Sequence, residues 1–97
     1  MDSTIALVYF ADEDFEKAAS SAKRALTHNP RFGAPLRVLA ASLAFLGQRD
    51  KATEVIRQLI DVDPLLSLST LRHRLMFMHE RVWRRLAEGL KLAGLPE

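Results

Sequence analysis

Cysteine is absent from all 97 residues, so no disulfide can staple the fold and no thiolate can hold a metal. Glycine is scarce as well: Gly33, Gly47, Gly89 and Gly94 are scattered, and no glycine-rich loop of the phosphate-cradling kind exists. No serine stands in a G-x-S-x-G turn and there is no cysteine, which leaves nucleophilic catalysis without support. No apolar run approaches the roughly 18 residues of a membrane span. Asp2-Ser3-Thr4 lacks the basic start of a signal peptide. A cytoplasmic setting without a membrane partner is expected. The histidines offer no metal site: His73 and His79 would sit about 240° apart around a helix, and no Asp or Glu completes a ligand set with them. Asp12-Glu13-Asp14 lacks the spacing of a calcium loop, and helix capping explains it. No catalytic residue, metal or cofactor is assigned, and the chain is expected not to be an enzyme.

What is present suits one small folded domain. Hydrophobic residues make up 48% and charged residues 27% of the chain, a globular balance. A chain of this length buries roughly 60–65% of its unfolded surface. The net charge of +2 is unevenly placed: residues 1–64 carry 8 basic and 9 acidic side chains, residues 65–97 carry 6 and 3. The C-terminal third is mildly basic, well short of the charge block of a nucleic-acid arm.

The strongest signal is a repeat. Ala18-(x)11-Pro30 recurs 34 residues later as Ala52-(x)11-Pro64, with Leu26 answered by Ile60. Phe15-Glu16-Lys17-Ala18 answers Arg49-Asp50-Lys51-Ala52, and Ile5 and Tyr9 answer Leu39 and Leu43. A 34-residue period with helical spacing inside each copy predicts stacked helix-turn-helix units, a binding scaffold rather than a closed catalytic pocket.

Four helices follow from the spacing. The first, capped by Ser3 or Asp2, carries Ile5, Leu7, Val8 and Phe10. The second starts at Asp12-Glu13-Asp14, whose carboxylates favour a helix N-terminus, and stops at His28-Asn29-Pro30. The third opens at Gly33-Ala34-Pro35, with proline tolerated in the first turn, and ends at Gly47. The fourth runs from about Asp50 to Asp63-Pro64. Ala18, Ala22, Ala40 and Ala52 are expected where paired helices approach closely. Beyond Pro64, Ser67 or Ser69 caps a helix using Leu68, Leu71, Leu75 and Met78. A last helix carries Val82, Trp83, Leu86, Leu90 and Ala93 and closes at Gly94 and Pro96. A break near Phe77–Glu80 is expected between these two, although one bent helix is the alternative.

These positions resemble the tetratricopeptide repeat (TPR) family. The match covers Leu36, Leu39, Ala40, Leu43, Gly47, Ala52, Ile56, Leu59 and Pro64 in the second copy, and Ile5, Ala6, Tyr9, Ala18, Ala22, Ala25 and Pro30 in the first. Copy one departs from the pattern: Glu13 stands at the usual turn glycine and Asp2 at the bulky aromatic. The first helix therefore looks clipped, and Met1 is expected to be an introduced start rather than a native one. The tail Leu86–Glu97 resembles the C-terminus of bacterial TPR proteins in which the repeats follow a class III adenylate/guanylate cyclase domain or a winged-helix regulatory domain. The resemblance implies that the chain is the C-terminal slice of a larger signalling protein.

The fold expected is all-α: a right-handed, TPR-like stack of five or six antiparallel helices forming an α-α superhelix. Residues 1–30 make the first repeat, 33–64 the second, and 65–97 a C-terminal helical cap.

In TPR proteins the inner helix of each pair lines a concave groove. By register Leu7, Phe10, Ala34, Arg37, Val38, Ala41, Phe45, Arg72 and Leu75 would face it or its rim. Small and apolar residues there leave room for a peptide, and Arg37 and Arg72 could take a carboxylate through a planar fork. Taken singly, Phe10, Val38 and Leu75 could instead pack between helices, and the arginines could sit on a solvated face. The lysine/asparagine clamp of chaperone-tail recognition is missing. The partner expected is a protein or peptide segment, in cis or in trans.

The remaining candidates read as structural. Trp83, with Leu86 and Leu90 at helical spacing, is expected to anchor the last helix rather than stack on a base. Arg81, Arg84 and Arg85 cluster within a turn, but Glu88 follows Arg84 at ion-pair spacing, so a solvated face outweighs a nucleic-acid surface. Leu65, Leu66, Phe77 and Met78 are candidates for an apolar patch supporting a homodimer or docking to an upstream domain.

Overall fold

The computed structural model describes the backbone from Asp2 to Glu97 and the side chains from Ile5 onward. Regular structure among the described residues is helical throughout: α1 Asp2–Ala11, α2 Phe15–His28, α3 Gly33–Phe45, α4 Arg49–Val62, α5 Leu68–Arg74 and α6 Glu80–Ala93. The capping role expected for Asp2 or Ser3 falls on side chains outside the described set.

The 34-residue echo is written into the backbone. α2 and α4 begin and end 34 residues apart, and so do the ends of α1 and α3. After α1, Asp12, Glu13 and Asp14 donate their N–H groups to the carbonyls of Val8, Phe10 and Tyr9. After α3, Leu46, Gly47 and Gln48 repeat those bonds to Ser42, Ala44 and Leu43. The next loop repeats as well: Asn29 to Ala25 and Phe32 to Asn29 recur as Asp63 to Leu59 and Leu66 to Asp63. Each bond satisfies a carbonyl that a helix end would otherwise leave unpaired.

Glu13 and Gly47 share the turn position and both adopt positive φ, 62° and 80°. Glycine takes that conformation without strain, whereas a Cβ-bearing residue is crowded there. Asp14 then caps α2 as expected, accepting the Lys17 N–H on its carboxylate at 3.3 Å.

Packing follows from composition. α2 and α4 bury one stripe each, with Ala18, Ala22 and Ala52 fully enclosed where helices meet. α1 from Ile5 to Ala11, and α3 apart from Arg37, are apolar nearly all round, the pattern of helices meant to be enclosed. α3 is enclosed by α1, α2, α4 and α6.

The C-terminal third departs from simple stacking. α5 is short: Ser67 caps it in a reciprocal box with Thr70, but it stops at Arg74, before the expected Leu75 and Met78. α5 and α6 are two separate helices, and the break spans Leu75–His79, wider than the sequence suggests. α6 returns across α3 rather than extending the row, and the molecule measures 27 × 27 × 25 Å. Near its start Arg81, Val82 and Arg85 border a crevice shared with Phe10, Ala11 and Glu13. At mid-helix Gly89 meets Ala41 and Phe45, and at its end the Ala93 carbonyl accepts the Thr53 hydroxyl of α4 at 3.1 Å. Gly94, at φ 109°, turns the chain so that Leu95 is buried. Pro96 and Glu97 then offer their carbonyls to the N–H groups of Leu68 and Ser69.

Candidate functional site

Val38, Ala41 and Phe45 lie on the face of α3 expected to line a groove, and α6 lies over it at Ala41 and Phe45. Ala41 is buried beneath Gly89, where an added Cβ would come within 2.7 Å of the Ala41 Cβ and 2.9 Å of its Cα. Val38 and Phe10 are buried too. Phe45 is half-buried, stacked on Phe15 at 4.7 Å between centroids and 6.3 Å from Phe10. The Arg85 guanidinium lies 5.9 Å above its ring while pairing with Glu13 at 3.0 Å. Phe10, Ala41 and Phe45 thus form a core seam. The crevice beside them, about 10 Å³, has room for little more than a water.

The other five residues of the expected groove, Leu7, Ala34, Arg37, Arg72 and Leu75, are half-buried. The two arginines sit in different charge environments. Arg72 gives Nη2 to Glu80 at 2.6 Å and lies 5.2 Å over the Trp83 ring, while its Nη1 is buried without an acceptor. Glu80 also accepts from Arg84 Nε at 3.2 Å. The hydrogen bond from Arg72 is the largest effect holding the Glu80 carboxyl below the usual carboxylate range; desolvation opposes it, and the Arg72 charge and then the Arg84 hydrogen bond and charge add to the lowering.

Arg37 has no carboxylate within ion-pair distance among the described residues. Asp63, which acts on it favourably, is paired with Arg74. Burial pushes the Arg37 guanidinium below its ordinary range and the Arg74 charge adds to that; Asp63 opposes both. The group stays charged, as guanidinium does in proteins. Close by, α3 opens without a side-chain cap at Phe32 and without an acidic residue in its first turn. The positive end of the helix and the Arg37 charge therefore reinforce one another.

Several sequence expectations change. Leu66 is buried and Met78 is half-buried, so of the four residues expected in an apolar patch only Leu65 and Phe77 stand exposed; Met76 is exposed as well. Arg84 pairs with Glu80 one turn back rather than with Glu88, so Glu80 serves both Arg72 and Arg84. Trp83 is buried in the core cluster. Of the arginine cluster, Arg84 and Arg85 are engaged with Glu80 and Glu13. Among the described residues no three His, Asp or Glu side chains converge as a metal site, and no helix is long and apolar enough to cross a membrane. Gly89 is the residue that sequence reasoning missed; its signal was position, on the apolar stripe between Leu86 and Leu90.

No known protein family is matched by the chain, and no curated protein or solved structure is found similar to it.

Proposed function

We propose that the chain is a non-catalytic protein–protein interaction module built from two TPR-like helical pairs, and that it docks an acidic segment at the open end of the α3 face. The observation that carries this is Arg37: a half-buried guanidinium that makes no ion pair among the described residues, the Asp63 carboxylate that acts on it being paired with Arg74. A carboxylate of a docking peptide would supply the missing partner in planar, bidentate geometry. Ala34, Leu7 and Leu75 would supply the apolar contacts beside it. The exact recurrence of turn bonds at 34 residues supports the repeat reading. The likeness of the tail to cyclase-linked repeat proteins makes a class III cyclase or winged-helix regulatory domain the first upstream neighbour to test.

Selection of random peptides displayed on phage, against the immobilised chain, tests this. Enrichment of Asp or Glu beside apolar residues, lost when the target carries Arg37→Glu, is expected. No enrichment, or enrichment indifferent to Arg37→Glu, would remove the proposal.

A second reading is favoured by Leu65 and Phe77, which stand almost fully exposed, and by the exposed Met76 next to Phe77 in the chain. In this reading the loops flanking α5 dock an upstream domain or a second copy.

A further inference from the structure

α1 and α3 are equivalent elements of the 34-residue repeat, yet they are covered differently. Leu39 and Ser42 of α3 are 6% and 0% exposed; their counterparts Ile5 and Val8 in α1 are 45% and 56% exposed. α1 packs on α2 and α3, whereas α3 packs on α1, α2, α4 and α6. α4 stands to α3 as α2 stands to α1, so that cover is common to both. α6 touches α3 at Ala41 and at the Phe45 ring; Ala41 lies about 200° and Phe45 about 120° around the helix from Leu39, whereas Ser42 is about 60° from Phe45 and nearer the α6 side. The cover that Leu39 has and Ile5 lacks is therefore the preceding pair, α1–α2.

α1 is as apolar as α3: from Ile5 to Ala11 it carries no charge. A helix apolar all round is built to be enclosed, and one side of this one is bare. A second copy is a poor occupant. Two partly exposed side chains fall far short of the roughly 800 Å² per partner of a stable interface. A head-to-tail copy would bring α4 to the place that α2 takes on α3, and every exposed residue of α4 is polar.

We propose that the Ile5–Val8 face of α1 is the seat of a further helical pair, joined on the N-terminal side of α1 and packed on it as α1–α2 packs on α3–α4. Its contact helix is amphipathic with an alanine-lined face, like α2 with Ala18, Ala22 and Ala25. The argument stands apart from acidic-peptide docking, since it uses neither Arg37 nor the α6 side of α3.

The test is a 131-residue variant in which residues 1–34 are duplicated ahead of Met1, so that Gly33-Ala34 enters α1 in the same register as it enters α3. Amide hydrogen exchange of α1 and the urea midpoint are measured with and without Val8→Glu. The added pair folds, α1 exchange slows at least tenfold and the midpoint rises; Val8→Glu abolishes that gain while leaving the midpoint of the 97-residue chain nearly unchanged. An added segment that exchanges like unfolded chain, with α1 unaffected, overturns the proposal. So does sedimentation showing the 97-residue chain to be a dimer that Val8→Glu dissociates, because a second copy would then be the occupant.

Discussion

Gly89 and Ala41 meet across α6 and α3 with no room for a side chain on the glycine: a Cβ there would lie 2.7 Å from the Ala41 Cβ and 2.9 Å from the Phe45 ring. The contact lets the C-terminal helix settle on the face of α3 that a row of stacked pairs would leave open. Of the residues expected to line the groove it covers Ala41 and Phe45, while Arg37 stays half-buried.

Gly89→Ala is accordingly destabilising, although alanine is the better helix former by about 1 kcal/mol. The clash is with Cα and Cβ atoms, which cannot swing away as a long side chain could, and overpacking of this kind costs about 1–3 kcal/mol. In a domain of this size each kcal/mol lowers Tm by roughly 4–8 °C. Thermal unfolding followed by circular dichroism checks it; an unchanged or raised Tm would mean that α6 does not lie on Ala41.

The two turn positions give opposite outcomes. Gly47→Ala places a Cβ at φ 80° and costs about 1 kcal/mol. Glu13→Gly relieves the same crowding at φ 62° and gives up only an exposed pairing with Arg85, so stability is unchanged or slightly raised. Urea midpoints of the two variants measure the contrast.

Glu80 links α6 to α5 through Arg72 and pairs with Arg84 within α6. Its carboxyl is held below the usual range when folded, so its contribution is present above the ordinary carboxylate pKa of about 4.3 and is lost as pH falls through the lower folded value. Glu80→Gln therefore lowers the urea midpoint at neutral pH, and the gap to the parent closes under acid. Because Arg72 lies over Trp83, the sole tryptophan, its fluorescence reports the same loosening. A gap that stays constant with pH would contradict the pairing.

Arg37 separates stability from recognition. Its guanidinium is desolvated beside Arg74 without a carboxylate of its own, so Arg37→Met leaves stability unchanged or raises it by up to about 1 kcal/mol. The same substitution removes the anion contact and weakens binding of acidic peptides at least tenfold. Loss of fold in Arg37→Met would make the arginine structural.

The helical pairs were legible because their determinants are local. Pro30, Pro64 and Gly47 end helices wherever they fall, Asp14 and Ser67 cap them, and Ala18, Ala22, Ala40 and Ala52 mark close approaches that are fully buried. The return of α6 was not legible. Trp83, Leu86 and Leu90 announce an apolar stripe but not the surface it covers, and Gly89 reads alone as a residue that weakens a helix. The stop of α5 at Arg74 carries no glycine or proline, and no local signal in the sequence explains it. Arg37 could be placed by register, but its shortage of carboxylate depends on Arg74 taking Asp63, a contact spanning 11 residues.

The most direct test of the account is an amide chemical-shift map of the ¹⁵N-labelled chain titrated with an acidic peptide from the display selection. Recognition at the open end of α3 predicts shifts centred on Ala34, Arg37 and Leu75, absent when Arg37→Glu is titrated in parallel. Shifts confined to the outer faces of α2 and α4, or the same in the Arg37→Glu chain, would contradict it.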